Sequence, residues 1–102
     1  MPITLVQVDF PHPGPWGAAM AQAMEGLAQS IAAEPGFLFK YWTEDQATGR
    51  AGGVYAFASR AAAEAYLAMH TKRLEAFGYS NIRGLVLDVN EALSRIDKAP
   101  VL

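Results

Sequence analysis

Hydrophobic periodicity along this chain switches between two and about four in an order that few folds accept. Residues 3–10, from Ile3 to Phe10, are rich in β-branched and apolar side chains and predict a first strand. Pro11, Pro13, Gly14 and Pro15 break it, and Pro15 suits a first helical turn, where a missing N–H does no harm. Met20, Met24, Leu27 and Ile31 then recur at helical spacing and form one apolar stripe. Glu34-Pro35-Gly36 ends that helix, because the residue before a proline avoids helical dihedrals. Residues 37–44 and 50–58 read as strands joined by a short polar turn, hence a hairpin. Gly52 and Gly53 inside the second of these imply a bulge or a close backbone approach. Ser59 is placed to cap a helix over residues 60–77, whose stripe is Ala63, Leu67, Leu74 and Phe77 with His70 in its middle. Gly78 suits the position after that helix. Residues 82–89 form a fourth strand, and Asn90 caps a short last helix ending near Ile96.

The order β-α-β-β-α-β is that of a ferredoxin-like α+β fold. Two right-handed crossovers give an antiparallel four-stranded sheet with two helices on one face. Strict alternation puts Phe37, Phe39 and Tyr41 on one face of the second strand, with Leu38 and Trp42 on the other. In the first strand Ile3 and Leu5 oppose Val6, Val8 and Phe10; in the fourth, Ile82 and Val86 oppose Leu85, Leu87 and Val89. Both faces are apolar, yet the helices cover only one. A half-exposed antiparallel sheet should alternate apolar with polar. The second face is therefore expected to pack on the same face of another copy, giving a homodimer.

The length of 102 residues suits a single domain spanning 1–102. A net charge of −2 without any basic run argues against nucleic acid as a partner. The absence of cysteine excludes disulfides, thiolate metal sites and a cysteine nucleophile. The two histidines, His12 and His70, are too few for a multi-histidine metal site, so no metal is expected. No segment has the apolar length of a membrane span and the first residues lack a signal-peptide pattern, so a cytoplasmic location is expected.

Several runs are shared with a known family: Gly14-Pro15-Trp16-Gly17, Glu34-Pro35-Gly36-Phe37, Lys40-Tyr41-Trp42-Thr43-Glu44 and Ala51-Gly52-Gly53-Val54-Tyr55. Tyr66-Leu67-Ala68-Met69-His70-Thr71, Arg73-Leu74 and Asp88-Val89-Asn90-Glu91 extend the match over nearly the whole chain. On these residues the sequence resembles the YdhR-like mono-oxygenases of the dimeric α+β barrel superfamily. Phe39 stands where members often carry tryptophan, and Trp16 where they carry phenylalanine. The resemblance implies a pocket between helices and sheet. It also implies oxidation of a small phenol- or quinol-like aromatic without metal, flavin or other cofactor.

The residues themselves nominate a site. His70 lies on an apolar helical stripe and points inward, where a histidine serves as a base, a shuttle or a structural hydrogen-bonding group. Arg73, three residues on, is placed to stabilise an oxyanion or to pair with an acid such as Glu44 or Glu75. Tyr66 precedes His70 by one turn. Trp42, Tyr66 and Tyr55 are expected as aromatic walls around the substrate, and Glu44 follows Trp42 on the same strand face. Ordinary packing competes with each of these roles. Two alternatives remain at this point: a haem-binding or haem-degrading protein with His70 as axial ligand, and a non-catalytic small-molecule-binding module.

Overall fold

A computed structural model describes residues 3–101. Eight elements follow in order: β1 (Thr4–Pro11), α1 (Gly17–Ala23), α2 (Glu25–Ala32), β2 (Phe37–Asp45), β3 (Arg50–Phe57), α3 (Arg60–Ala76), β4 (Arg83–Asp88) and α4 (Glu91–Ile96). The strands form one sheet in the order β2-β3-β1-β4, and every neighbouring pair is antiparallel. This is the ferredoxin-like α+β arrangement that the periodicity predicts.

The core lies between the sheet and the helices α1–α3. Val6, Val8 and Phe10 of β1 and Tyr55 and Phe57 of β3 point toward the helices, and Met20, Ile31, Ala63, Tyr66 and Leu74 meet them. Each β1 residue on this face pairs across the sheet with a β3 residue of the same face, such as Val6 with Tyr55. The Ser59 side chain accepts the Ala62 N–H and starts α3, as expected of that cap. Asn90 does the same for α4 through the Leu93 N–H.

Four details depart from the periodicity reading. The first helix is two, because Met24 leaves helical dihedrals at ψ 5° while the bonds Met24 N to Met20 O and Ala28 N to Met24 O persist. Phe37 does not share a face with Phe39 and Tyr41. The β2–β3 register slips between Phe37 and Phe39, so Phe37 turns inward and packs edge-on against Phe57. Phe77 lies at the end of α3, 57% exposed, and Tyr66 takes the core volume assigned to that stripe. Gly52 and Gly53 mark a close approach and not a bulge: the register passes through them unbroken, and a Cβ on Gly52 would overlap the Val8 carbonyl.

The face away from the helices carries Leu5, Phe39, Val54, Leu85 and Leu87, with Tyr41 63% exposed. Asp9 on the same face accepts from Arg50 Nε at 2.9 Å and Arg83 Nε at 3.0 Å. Burial raises its pKa, but these two guanidinium groups outweigh burial and hold it below the usual value. Among the described residues no helix is long and apolar enough to cross a membrane.

Candidate functional site

The alternation of β2 decides which of its side chains enter the helix side. Lys40, Trp42 and Glu44 pair with Tyr55, Gly53 and Ala51 of β3 and share their face. Lys40 lies across Gly53, where a Cβ would collide with Cε of Lys40 and crowd the Tyr55 ring. Opposite, α3 presents His70 and Leu74, and α1–α2 present Met20, Met24 and Leu27. These groups enclose an inner cavity of about 30 Å³, room for a water molecule. Met20, Met24 and Trp42 also border an outer groove of about 340 Å³ that runs to Gly17 and Glu44. Those three side chains separate the groove from the cavity.

His70 is 2% exposed and has partners on both ring nitrogens. Arg73 donates to Nδ1, with Nη2 at 3.0 Å and Nε at 3.3 Å. A guanidinium has nothing to accept with, so Nδ1 carries the lone pair and Nε2 carries the hydrogen. Nε2 then donates to the Tyr55 hydroxyl at 3.2 Å. Arg73 Nη2 also reaches the Tyr66 hydroxyl at 3.5 Å, and the Tyr66 ring stacks on His70 with centroids 5.0 Å apart. Burial, then Arg73, then Lys40 push the His70 pKa down to about 3, so the ring is neutral at ordinary pH. Burial raises the Tyr55 and Tyr66 hydroxyls, which stay protonated.

Lys40 Nζ stands 3.2 Å above the Trp42 ring and 4.4 Å from the Tyr55 ring. Among the described residues it forms no ion pair with any carboxylate. Burial and the nearby Arg73 charge lower its pKa to about 7. The ring faces favour the ammonium by about 0.5–2 kcal/mol, less than the several kcal/mol that desolvating an ion costs. Burial therefore wins, and the amine is partly neutral near pH 7.

His12, buried in the proline loop, closes the far end of the cavity. Its Nε2 donates to the Pro15 carbonyl at 2.9 Å, and its Nδ1 meets the Tyr79 hydroxyl at 2.8 Å. Among the described residues, no aspartate or glutamate lines the cavity.

The sequence matches, over residues 5–100, the family described as Putative mono-oxygenase ydhR. The chain belongs to this family. No curated protein matches the sequence. A crystal structure of NE2512, a protein of unknown function from Nitrosomonas europaea, has the same fold with a TM-score of 0.67. It is 18% identical and aligns over 100% of this chain and 95% of its own.

Set on this ydhR-family fold, the residues nominated from sequence divide into groups. Trp42, Tyr55 and His70 border the inner cavity together. Arg73 and Tyr66 do not line it; both touch His70 from behind. Arg73 pairs with neither Glu44 nor Glu75 among the described residues, since its side chain turns to the imidazole. Glu44 sits at the groove mouth, where its Oε1 accepts the Gly17 N–H at 2.8 Å. Lys40, His12 and Tyr79 were not nominated. Lys40 carried a signal, a basic residue in register with Trp42 on the inward face of β2. His12 and Tyr79 are 67 positions apart, and only the fold joins them.

Proposed function

We propose that this protein is a mono-oxygenase acting without metal or flavin on a small phenol- or quinol-like ring bound in this cleft. The observation that carries the reading is an aromatic-walled cavity lined by Lys40, Tyr55 and His70, with no carboxylate in its lining among the described residues. Such a lining favours a ring that becomes an oxyanion. The family description points to the same reaction class. The ring enters from the outer groove when Met20, Met24 and Trp42 move apart; methionine adapts to such repacking.

The reaction balances as phenol plus O₂ giving quinone plus water. The hydroxyl loses its proton, and the para carbon gives its electrons to O₂ and forms a C–O bond. Loss of the para hydrogen as a proton then breaks the O–O bond, leaving a carbonyl and releasing water. In this scheme Tyr55 and the His70 N–H behind it form the polar end of the site, and Arg73 holds His70 in the tautomer that donates. Trp42 and Tyr55 are the walls, Tyr66 supports His70, and Glu44 marks the entrance.

Both ring nitrogens of His70 are occupied, so axial haem ligation has less support. A homodimer joined through the open sheet face belongs to the same proposal. The test is oxygen consumption by the purified protein, stripped of metals with a chelator, over a panel of phenols and hydroquinones. One O₂ consumed per quinone formed, with one atom of ¹⁸O from labelled O₂ in the product, is the expected result. Binding without oxygen uptake across the panel would favour the non-catalytic binding module.

A further inference from the structure

We propose that Lys40 takes the proton from the hydroxyl of the bound ring and then holds the oxyanion, so that the cleft selects aromatic rings bearing an acidic O–H. The inference rests on the reading of this cleft as a site for a small aromatic, and adds the residue and the ligand chemistry.

The argument starts from what surrounds the amine. On its own strand lies Trp42, beneath Nζ, and farther along Glu44, whose carboxylate is engaged by Gly17. From β3 comes Tyr55, its hydroxyl directed to His70. From α3 come His70 and Arg73, which are neutral and cationic, with Tyr66 behind them. Across the cavity are His12 and Tyr79, bonded to each other. From α1 and α2 the lining is Met20, Met24 and Leu27; Glu25 borders only the outer groove. Every charge near Lys40 on the inner side is therefore positive.

A buried ammonium without a carboxylate is an unfavourable arrangement. The amine can stay neutral by giving up its proton, or keep the proton beside an anion. A phenol meets a neutral amine and supplies the second arrangement in one step. The O–H bond breaks, an N–H bond forms on Nζ, and the products are an ammonium and a phenolate side by side. Arg73 lies close enough to lower the Lys40 pKa, so the field that opposes the free ammonium also favours the phenolate.

His70 is a poor rival for this role. Taking a proton would cost it the Arg73 hydrogen bond on Nδ1, because a protonated ring presents N–H to a guanidinium that can only donate.

The probe is 4-nitrophenol, too electron-poor to be oxidised readily, whose phenolate is yellow and whose neutral form is not. Titrating the wild-type protein into the probe at a pH below the probe's own pKa is expected to increase the phenolate band. Lys40→Met, which keeps an unbranched side chain without the amine, is expected to bind about 10- to 100-fold more weakly, the loss of a charge-assisted bond, with the bound probe neutral. Lys40→Arg keeps the cation but accepts no proton; it is expected to bind the phenolate and to support no oxygen uptake.

Bound probe with the spectrum of the neutral phenol in the wild type would overturn the proposal, whatever the variants do. So would wild-type affinity and spectrum in Lys40→Met, or no binding of the probe at millimolar concentration. The readout does not depend on turnover. Oxygen uptake without a phenolate shift would sink the Lys40 assignment and leave the mono-oxygenase reading standing; a shift without uptake on any substrate would do the reverse.

Discussion

At His70 two neighbours decide the tautomer, one from its own helix and one from the sheet. Arg73 approaches from the next turn of α3 and Tyr55 from β3, one able only to donate and the other free to accept. The neutral Nε2–H form is therefore expected throughout the range from pH 5 to pH 8, and ¹⁵N-detected histidine spectra should show it without titration. A protonated ring at pH 6 would contradict the assignment. The sign of the linked stability follows. The folded-state pKa is about 3 against 6.5 for the free group, so the unfolded chain binds the extra proton first as pH falls. Stability is lost progressively below about 6.5, and Arg73→Met, which frees Nδ1 and removes a positive charge, should move the His70 pKa upward.

Within the elements, two local devices set the shape of the cleft. The register slip at Leu38 turns Phe37 inward while keeping Lys40 and Trp42 on the helix side. Without the slip, the β2 residues after it would change faces, since side chains alternate with a period of two. The second device is the pair Gly52 and Gly53. At Gly52 the β1 backbone comes so close that a Cβ would overlap the Val8 carbonyl, and neither strand can yield without breaking its ladder. Gly52→Ala is expected to destabilise the protein by about 3 kcal/mol or more, the upper range for overpacking, as measured by urea unfolding. A cost below 1 kcal/mol would show that β1 and β3 separate easily there. Gly53→Ala meets the flexible end of Lys40 instead, so its effect should fall on ligand binding as well as on stability.

For the whole molecule the open sheet face matters most. Tyr41, Leu85 and Leu87 are exposed there, with Leu5, Phe39 and Val54 partly exposed around them. Residues Ala99, Pro100 and Val101 border one edge of it, beside Leu5 and Phe39, around a cavity of about 230 Å³. The proposed homodimer would bury this face, with a total area of roughly 2,000 Å² if it is obligate. Light scattering at micromolar concentration is expected to give twice the chain mass of 11.0 kDa. Leu87→Glu, a charge on the exposed β4 side of this face, is expected to dissociate or aggregate the protein. A monomer mass for the wild type, or an intact dimer for Leu87→Glu, would count against pairing through the sheet.

The architecture was legible in the sequence because its causes are local. Alternation in β1, the helical stripe of α3 around His70, the Ser59 and Asn90 caps and the breaks at the prolines all act within a few residues of one another. The inward direction of His70 follows from the same periodicity, whereas that of Trp42 rests on the β2–β3 register. What the sequence could not show depends on contacts between distant segments. The turn of Phe37 is a matter of register against β3, and the helix break at Met24 leaves its flanking hydrogen bonds in place, so neither has a pattern of its own. Arg73 turns to the imidazole one helical turn back, and not to Glu44 or Glu75. Lys40 reads as a surface residue until Gly53 gives it space and the Trp42 and Tyr55 rings enclose it. Its charge, like the tautomer of His70, is an electrostatic property of burial and of neighbours brought together by the fold, and only the tertiary structure decides it.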